Sequence, residues 1–408
     1  MAKPLKSTAT GGLPLRFTRA EWAGAFGDVG ILLPLAIALI AQNGMNGTAV
    51  FLCTGLMYIG CGLYYRIPMP VQPLKAAAAI AIATGMAPGM LSAAGVMMGA
   101  LLLLMAVTRL SELLGRIFTL PVIRGIQLGV GLLMIKGGIA LFAKPALGVA
   151  QGAPPRLSLP VLGTVPLGVV VGVGAAILLL VLLGNRRIPA ALAVLGVGTV
   201  AGIAVGYTTL PSGITLGAAP IALSMPPAEM LAAAFVMLVI PQLPLTFGNA
   251  IVCASNTARD YYGAQARRAT PVALSTSLGV GNVITGLVGG MPMCHGAGGL
   301  TAHYKFGART MAAPLIIGTA LVLFALLFGA SAATLAAIIP PAVLGVLLIY
   351  IGIEHGMLVR HVVADREGFF VALTIGGITI VAGTLTAVTV GIALAFILRR
   401  RPLPMPQH

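Results

Sequence analysis

The sequence predicts an all-α polytopic membrane protein of about fourteen transmembrane segments, built as two inverted halves of seven. Three observations carry this expectation: the chain is too poor in charge for a soluble body, its apolar runs have spanning length, and its basic residues fall on alternate connections. Of the 408 residues, 59% are hydrophobic types and only 8% are charged, with a mean hydropathy of +1.05. A soluble domain is roughly a quarter charged. A soluble core could bury much of this apolar surface, but too few charges remain to coat its outside, and lipid removes that difficulty.

A spanning helix needs about 20 mostly apolar residues. Residues 1–20 are polar and basic, without an apolar core leading to a small-residue cleavage site, and are expected to be a cytoplasmic tail. The expected spans are 22–41, 47–65, 88–108, 120–143, 160–183, 188–206, 229–254, 270–289, 311–329, 333–351, 368–383 and 385–399. Two apolar stretches are too short or too interrupted for ordinary spans. One is 73–86, behind Pro68, Pro70 and Pro73, and the other is 294–304, behind Pro292 and a Gly-rich run. With these two the segments number fourteen. The first repeat is expected over 21–206, an extracytoplasmic linker over 207–228, the second repeat over 229–400 and a second cytoplasmic tail over 401–408.

The basic residues test the parity. With the N-terminus inside, the inner connections and tails hold 20 of the 24 basic residues, among them Arg109, Arg116, Arg124, Arg186, Arg187, Arg259, Arg267, Arg268, Arg360 and Arg366. The outer loops hold only Lys144 and Arg156, and Lys75 and Lys136 fall within membrane segments. A wrong count would scramble this positive-inside sorting, so both termini are expected in the cytoplasm. The net charge of +16 is therefore no nucleic-acid signal, because that requires a contiguous basic face.

The halves echo one another. Gly27-Asp28-Val29-Gly30 lies in the first span, and Met69-Pro70-Val71-Gln72-Pro73 follows 42 residues later. Phe247-Gly248-Asn249 lies in the eighth span, and Met291-Pro292-Met293-Cys294-His295 follows 43 residues after Gly248. Each polar break precedes a Met-Pro turn into a short helix. Seven segments per half is an odd number, so the halves run in opposite senses. Inverted repeats with discontinuous helices mark secondary transporters.

The chemistry concentrates at these breaks. Two prolines three apart, Pro70 and Pro73, cannot sit inside a regular helix, but Pro73 suits the first turn of a new one. The segment reads as an extended strand leading to a helix that starts near mid-membrane. Such a helix N-terminus offers free N–H groups and a partial positive charge, which suit an anion. Lys75 adds a full charge in that first turn, where the dipole disfavours it unless an anion is present; the alternative is a lysine that snorkels to water. Gln72 is a neutral donor on the same segment. In the second half His295 opens the short helix, with Cys294 and Gly296 beside it, and the glycines admit close backbone approach. The alternative for His295 is a ring satisfied by a backbone carbonyl. Pro241-Gln242-Leu243-Pro244-Leu245-Thr246 is expected to interrupt the eighth span, and Gln242 and Thr246, four residues apart in it, would share a face if helical, as donors or as interhelical hydrogen-bond partners. Asp28, an acidic residue deep in the first span, is a candidate to orient Lys75 or carry a proton, or else caps the broken helix; its counterpart Asn249 is neutral. Lys136, near the end of its span, reads as snorkelling or structural.

Other functions find little support. Cys53, Cys61, Cys253 and Cys294 form no CxxC pair, so no disulfide framework, metal site or cofactor is expected. No nucleotide-binding G-x-x-x-x-G-K-[ST] occurs. Cys294 and His295 are adjacent and point about 100° apart on a helix start, which suits no shared proton, so the chain is not read as an enzyme.

The segments EWAGAFGDVGILLP (Glu21 to Pro34), PMPVQPLKA (Pro68 to Ala76), QLPLTFGNAIVCASN (Gln242 to Asn256) and MPMCHGAGGLTAHYKFGAR (Met291 to Arg309) resemble the molybdate transporter family, a branch related to the sulfate permeases. The resemblance implies core and gate domains, with the third and tenth segments as half-helices facing each other across the substrate. Sulfate permeases of the usual kind end in a cytoplasmic regulatory domain, and none is expected here after the last span; the resemblance implies the same, because molybdate transporters of this kind lack it. The expected function is secondary active transport of molybdate by alternating access, with proton coupling through Asp28 or His295 as an option. Tungstate and sulfate are related substrates. A sulfate or nucleobase carrier of the same fold, for which Phe26, Tyr64 and Phe247 supply aromatics, and an anion channel are the alternatives. The expected setting is a bacterial inner membrane, with lipid around the protein, no nucleic-acid partner and a homodimer by analogy with transporters of this fold.

Overall fold

The computed structural model describes residues 15–108, 117–142, 156–159, 163–185, 189–211 and 213–400. The expected tails 1–14 and 401–408, Arg109, Arg116, Lys144, Arg186 and Arg187 lie outside the described residues.

The described chain is helical almost throughout. α1 (Arg19–Ala25) and α2 (Val29–Asn43) form the first segment, broken at Phe26–Asp28, and α3 (Gly47–Tyr65) returns. Strand β1 (Gln72–Pro73) leads into the half-helix α4 (Lys75–Thr84), followed by α5 (Pro88–Val107) and α6 (Leu120–Phe142). A hairpin of β2 (Arg156–Leu159) and β3 (Gly163–Pro166) precedes α7 (Leu167–Leu182) and α8 (Ala190–Ala204). The second half holds α9 (Ala228–Arg268), α10 (Pro271–Leu287), β4 (Met293–Cys294), the half-helix α11 (Ala297–Lys305) and α12 (Ala312–Phe328). It ends with the short α13 (Ala332–Ile338), then α14 (Pro341–Gly356), α15 (Arg366–Ala382) and α16 (Thr384–Arg400). Among the described residues, seven helical stretches are long and apolar enough to cross a membrane, and α4, α7, α8 and α10 are shorter apolar helices.

Three boundaries depart from expectation, each for a backbone reason. The span expected at 160–183 begins only at Leu167, because Gly163–Pro166 pairs as a strand with Arg156–Leu159. The span expected at 333–351 is cut at Pro340, and α14 starts afresh with Pro341 in its first turn, where the missing N–H costs nothing. The eighth span is not interrupted at Pro241 and Pro244. The helix runs on, with wider π-helical turns at Phe235–Val239 and Thr246–Cys253 that absorb the bonds proline cannot make.

Packing follows an internal symmetry. α3 lies along α12 as α5 lies along α10, and α6 crosses α14 at the centre of the second group. Helices α1–α5 and α9–α12 form one group, the core, while α6–α8 and α14–α16 form the gate. The groups meet where α4 and α9 face α6 and where α2 faces α14. Paired glycines make the long contacts possible. A Cβ on Gly138 would lie 2.6 Å from the Gly345 carbonyl oxygen, one on Gly352 would lie 2.6 Å from that of Gly131, and Gly55 faces Gly318 in the same way. Lipid gives helices no hydrophobic reason to associate, so small residues that admit backbone contact must supply the packing.

The link between the halves lies across one face. Asn46 donates to the Pro220 carbonyl at 2.9 Å, the Ala219 N–H to Thr48 Oγ1 at 2.8 Å, and the Ser224 N–H to the Leu287 carbonyl at 2.8 Å. The starts of α3 and the ends of α10 and α12 therefore share that face, opposite Arg19 and Arg400.

Candidate substrate site

The prolines create the site. Pro68, Pro70 and Pro73 hold 67–73 out of a helix, and Pro292 does the same in the second half. Each extended piece needs partners for its backbone, and the two find each other. β1 pairs antiparallel with β4, with Gln72 opposite Cys294 and Pro73 opposite Met293, and the Leu74 N–H donates to the Pro292 carbonyl at 2.9 Å. The half-helices α4 and α11 therefore begin side by side, their N-termini converging on one buried point.

Lys75 stands at that point. It is 6% exposed, and its Nζ lies 3.4 Å from where a Cβ on Gly296 would be. The cation thus reaches across from the first turn of α4 to the N-cap of α11. No hydrogen bond or ion pair joins it to another described side chain. No side chain caps α11 at Gly296, and the space around Gly298 is open.

Asp28 sits at the break in the first segment. Its backbone carbonyl accepts from Ile31 and Leu32, but its side chain makes no cap bond. The carboxylate instead accepts from Gln72 Nε2 and, at 3.3 Å, from the Tyr58 hydroxyl. It orients Gln72 rather than pairing directly with Lys75. Gln72 is fully buried, and its Oε1 has no partner. Gly299 makes the arrangement possible, because a Cβ there would lie 2.7 Å from Asp28 Oδ2.

Gln242 and Thr246 do share a face, and Gln242 Nε2 donates to Thr246 Oγ1 at 3.0 Å. Gln242 Oε1 accepts from the N–H groups of Ala76 and Ala77 at 2.7 and 3.2 Å. The free donors of α4 are thus held by an amide from α9. Asn249 is half-buried in the following π-helical turn.

His295 faces away from this point. Its Nδ1 lies 2.7 Å from the Pro70 carbonyl, so that nitrogen carries the proton. Its Nε2 then accepts from the Ser277 hydroxyl at 3.0 Å, which leaves no N–H for an anion. The ring stands edge-on to Tyr65 and braces one crossing strand against the other. Cys294 Sγ donates to the Pro73 carbonyl at 3.5 Å, a second brace.

The chain matches the sequence profile of a family described as "Molybdate transporter of MFS superfamily" over residues 20–134 and 234–354, more than half its length. The chain belongs to the molybdate transporter family. Curated relatives include Molybdate transporter 2 of Arabidopsis thaliana, 28% identical over 94% of this chain and 88% of that one, and Molybdate transporter 1 of Chlamydomonas reinhardtii, 30% identical over 92% and 91%. Among solved structures, the transmembrane domain of the cyanobacterial bicarbonate transporter BicA aligns with a TM-score of 0.66 at 19% identity, over 93% of this chain and 98% of that one. SLC26A9 aligns at 0.65 and 12% identity, over 93% and 65%. These transporters have the inverted-repeat fold of the sulfate permease relatives, the fold expected from the sequence.

This molybdate-family transporter also uses residues that the sequence did not single out. Asn282 of α10 donates to the Met293 carbonyl and accepts from the Met293 N–H, both at 2.7 Å, and so pins β4. Asn43 donates to the Ala81 and Met86 carbonyls at 2.8 Å and closes the C-terminal end of α4. Each is an amide inside an apolar helix, a signal that was readable. Tyr58 gave none, because a tyrosine in a span is ordinarily a packing residue.

Proposed function

We propose that this chain carries molybdate across the membrane as a secondary active transporter, holding the dianion between the N-termini of α4 and α11. The observation that carries this reading is Lys75, buried and with no hydrogen bond or ion pair to another described side chain, with its Nζ over the N-cap of the opposite half-helix. The named function of the curated relatives supports the choice of oxyanion. In this reading Lys75 supplies charge, Gln72 is oriented by Asp28, the backbone N–H groups at Gly296 and Gly298 supply donors, and His295 and Cys294 support the frame. Gln242 and Thr246 hold the start of α4 and yield its N–H groups to the ion. Core and gate move against each other to expose the site alternately, with 21–206 and 229–400 as the two repeats, both termini cytoplasmic and the protein in a bacterial inner membrane.

A nucleobase is less well served. Tyr64, one of the aromatics available for stacking, is 51% exposed at the end of α3 and lies beneath Arg268, 5.7 Å from its guanidinium carbon.

The test is competition. Purified protein in liposomes is loaded with labelled molybdate against unlabelled molybdate, tungstate, sulfate and uracil. Molybdate and tungstate are expected to compete, and external molybdate to drive counterflow. Competition by uracil but by no oxyanion overturns the reading, and uptake without counterflow indicates a channel.

A further inference from the structure

A chamber beside the half-helix crossing plays no part in the site above. It is a cavity of about 520 Å³ between the two helix groups, with walls from α4 and α9 on one side and α6, α15 and α16 on the other. The C-terminal end of α4 and the turn from α15 to α16 place it toward the face opposite Arg19 and Arg400. It also approaches the site. Ile80 lines it five residues along α4 from Lys75, and Met237 lines it five residues before Gln242. At 1.5 Å per residue each is about 7–8 Å from the crossing.

Among the described residues, Lys136 is the sole charged residue in this wall. It is exposed, and no described carboxylate or hydrogen-bond acceptor pairs with it. Four threonines also line the chamber. The hydroxyls of Thr84 and Thr379 are spent on the Ile80 and Ile375 carbonyls at 2.7 and 2.8 Å. Thr384 and Thr386, at the α15–α16 turn, make no such bond to a described residue. An unpaired cation in a cleft with apolar walls focuses its field and raises the local concentration of the opposite charge. A lysine that merely snorkelled to lipid headgroups would not need a chamber shared by five helices.

We propose that Lys136 is the outer capture point for the transported tetrahedral dianion, which Thr384 and Thr386 help to hold before it passes to Lys75. The proposal rests on the carrier reading above. Capture precedes the half-helix site, so Lys136 sets the apparent KM and its salt dependence and leaves the turnover step alone.

The experiment is molybdate uptake into right-side-out vesicles at low and high ionic strength. Lys136→Gln is expected to raise KM about tenfold at low salt, with Vmax held and the salt dependence flattened. In Lys136→Cys, an external aminoethyl thiosulfonate restores the positive charge and is expected to restore KM. The sulfonatoethyl reagent places a negative charge there and is expected to raise KM further. Wild-type protein treated with either reagent controls for the native cysteines. Unchanged KM and salt dependence in Lys136→Gln, beside a saturable wild type, overturn the capture role alone. A wild type without saturable uptake overturns the carrier reading and this proposal with it.

Discussion

Lys75 occupies the first turn of a helix, where the backbone dipole opposes a cation, and it is buried with no hydrogen bond or ion pair to another described side chain. Both costs fall when a dianion binds, so its removal should weaken binding far more than folding. Truncating one partner of a buried charged contact costs about 2–5 kcal/mol, so Lys75→Ala is expected to lose at least about 30-fold in molybdate affinity by calorimetry. Retained affinity in a folded variant would remove Lys75 from the site. His295 teaches the opposite lesson at the same scale. Its position at the start of a half-helix suggested a donor to substrate, yet both ring nitrogens are occupied by Pro70 and Ser277. A sequence shows which residue opens a helix but not the direction in which its side chain turns.

At the scale of elements, the breaks were legible because proline acts locally. Pro70, Pro73 and Pro292 stand in extended backbone ahead of the short α4 and α11, whereas Pro34 and Pro244 are carried inside helices. The pairing of β1 with β4 was not legible, since it joins residues more than 200 apart in sequence. The same holds for the glycine crossings. Gly137 and Gly138 are neighbours in sequence with different fates. A Cβ on Gly138 would lie 2.6 Å from the Gly345 carbonyl oxygen, whereas one on Gly137 would meet Leu348 at an ordinary 3.5 Å. Gly138→Leu is therefore expected to separate α6 from α14 and lower the thermal midpoint by at least roughly 5 °C, while Gly137→Ala leaves it within about 1 °C. Equal midpoints for the two variants in a thermal-shift assay would show that the crossing tolerates separation.

At the scale of the whole molecule, transport needs a driving force. A dianion entering a negative-inside cell needs an energy source, and the chain carries no nucleotide-binding motif. Asp28 is the buried acid that touches the candidate site, through Gln72. If it carries the coupled proton, Asp28→Asn should abolish proton entry measured with entrapped pyranine while molybdate exchange between equal pools continues. Asparagine can still accept the Gln72 bond, so the site's frame is kept. Proton movement that persists at the wild-type ratio assigns the coupling to another group or rules it out.

Composition and the sorting of basic residues determined the membrane setting and the segment count, because burial in lipid acts on every residue of a span at once. The repeated Met-Pro breaks determined that two short helices exist. Only the tertiary structure decided what faces what: Lys75 over Gly296, Gln242 on the N–H groups of α4, Asp28 on Gln72, and Lys136 on a chamber wall. The first three are contacts between segments distant in sequence, and all four are fixed by close helix packing that no local pattern encodes.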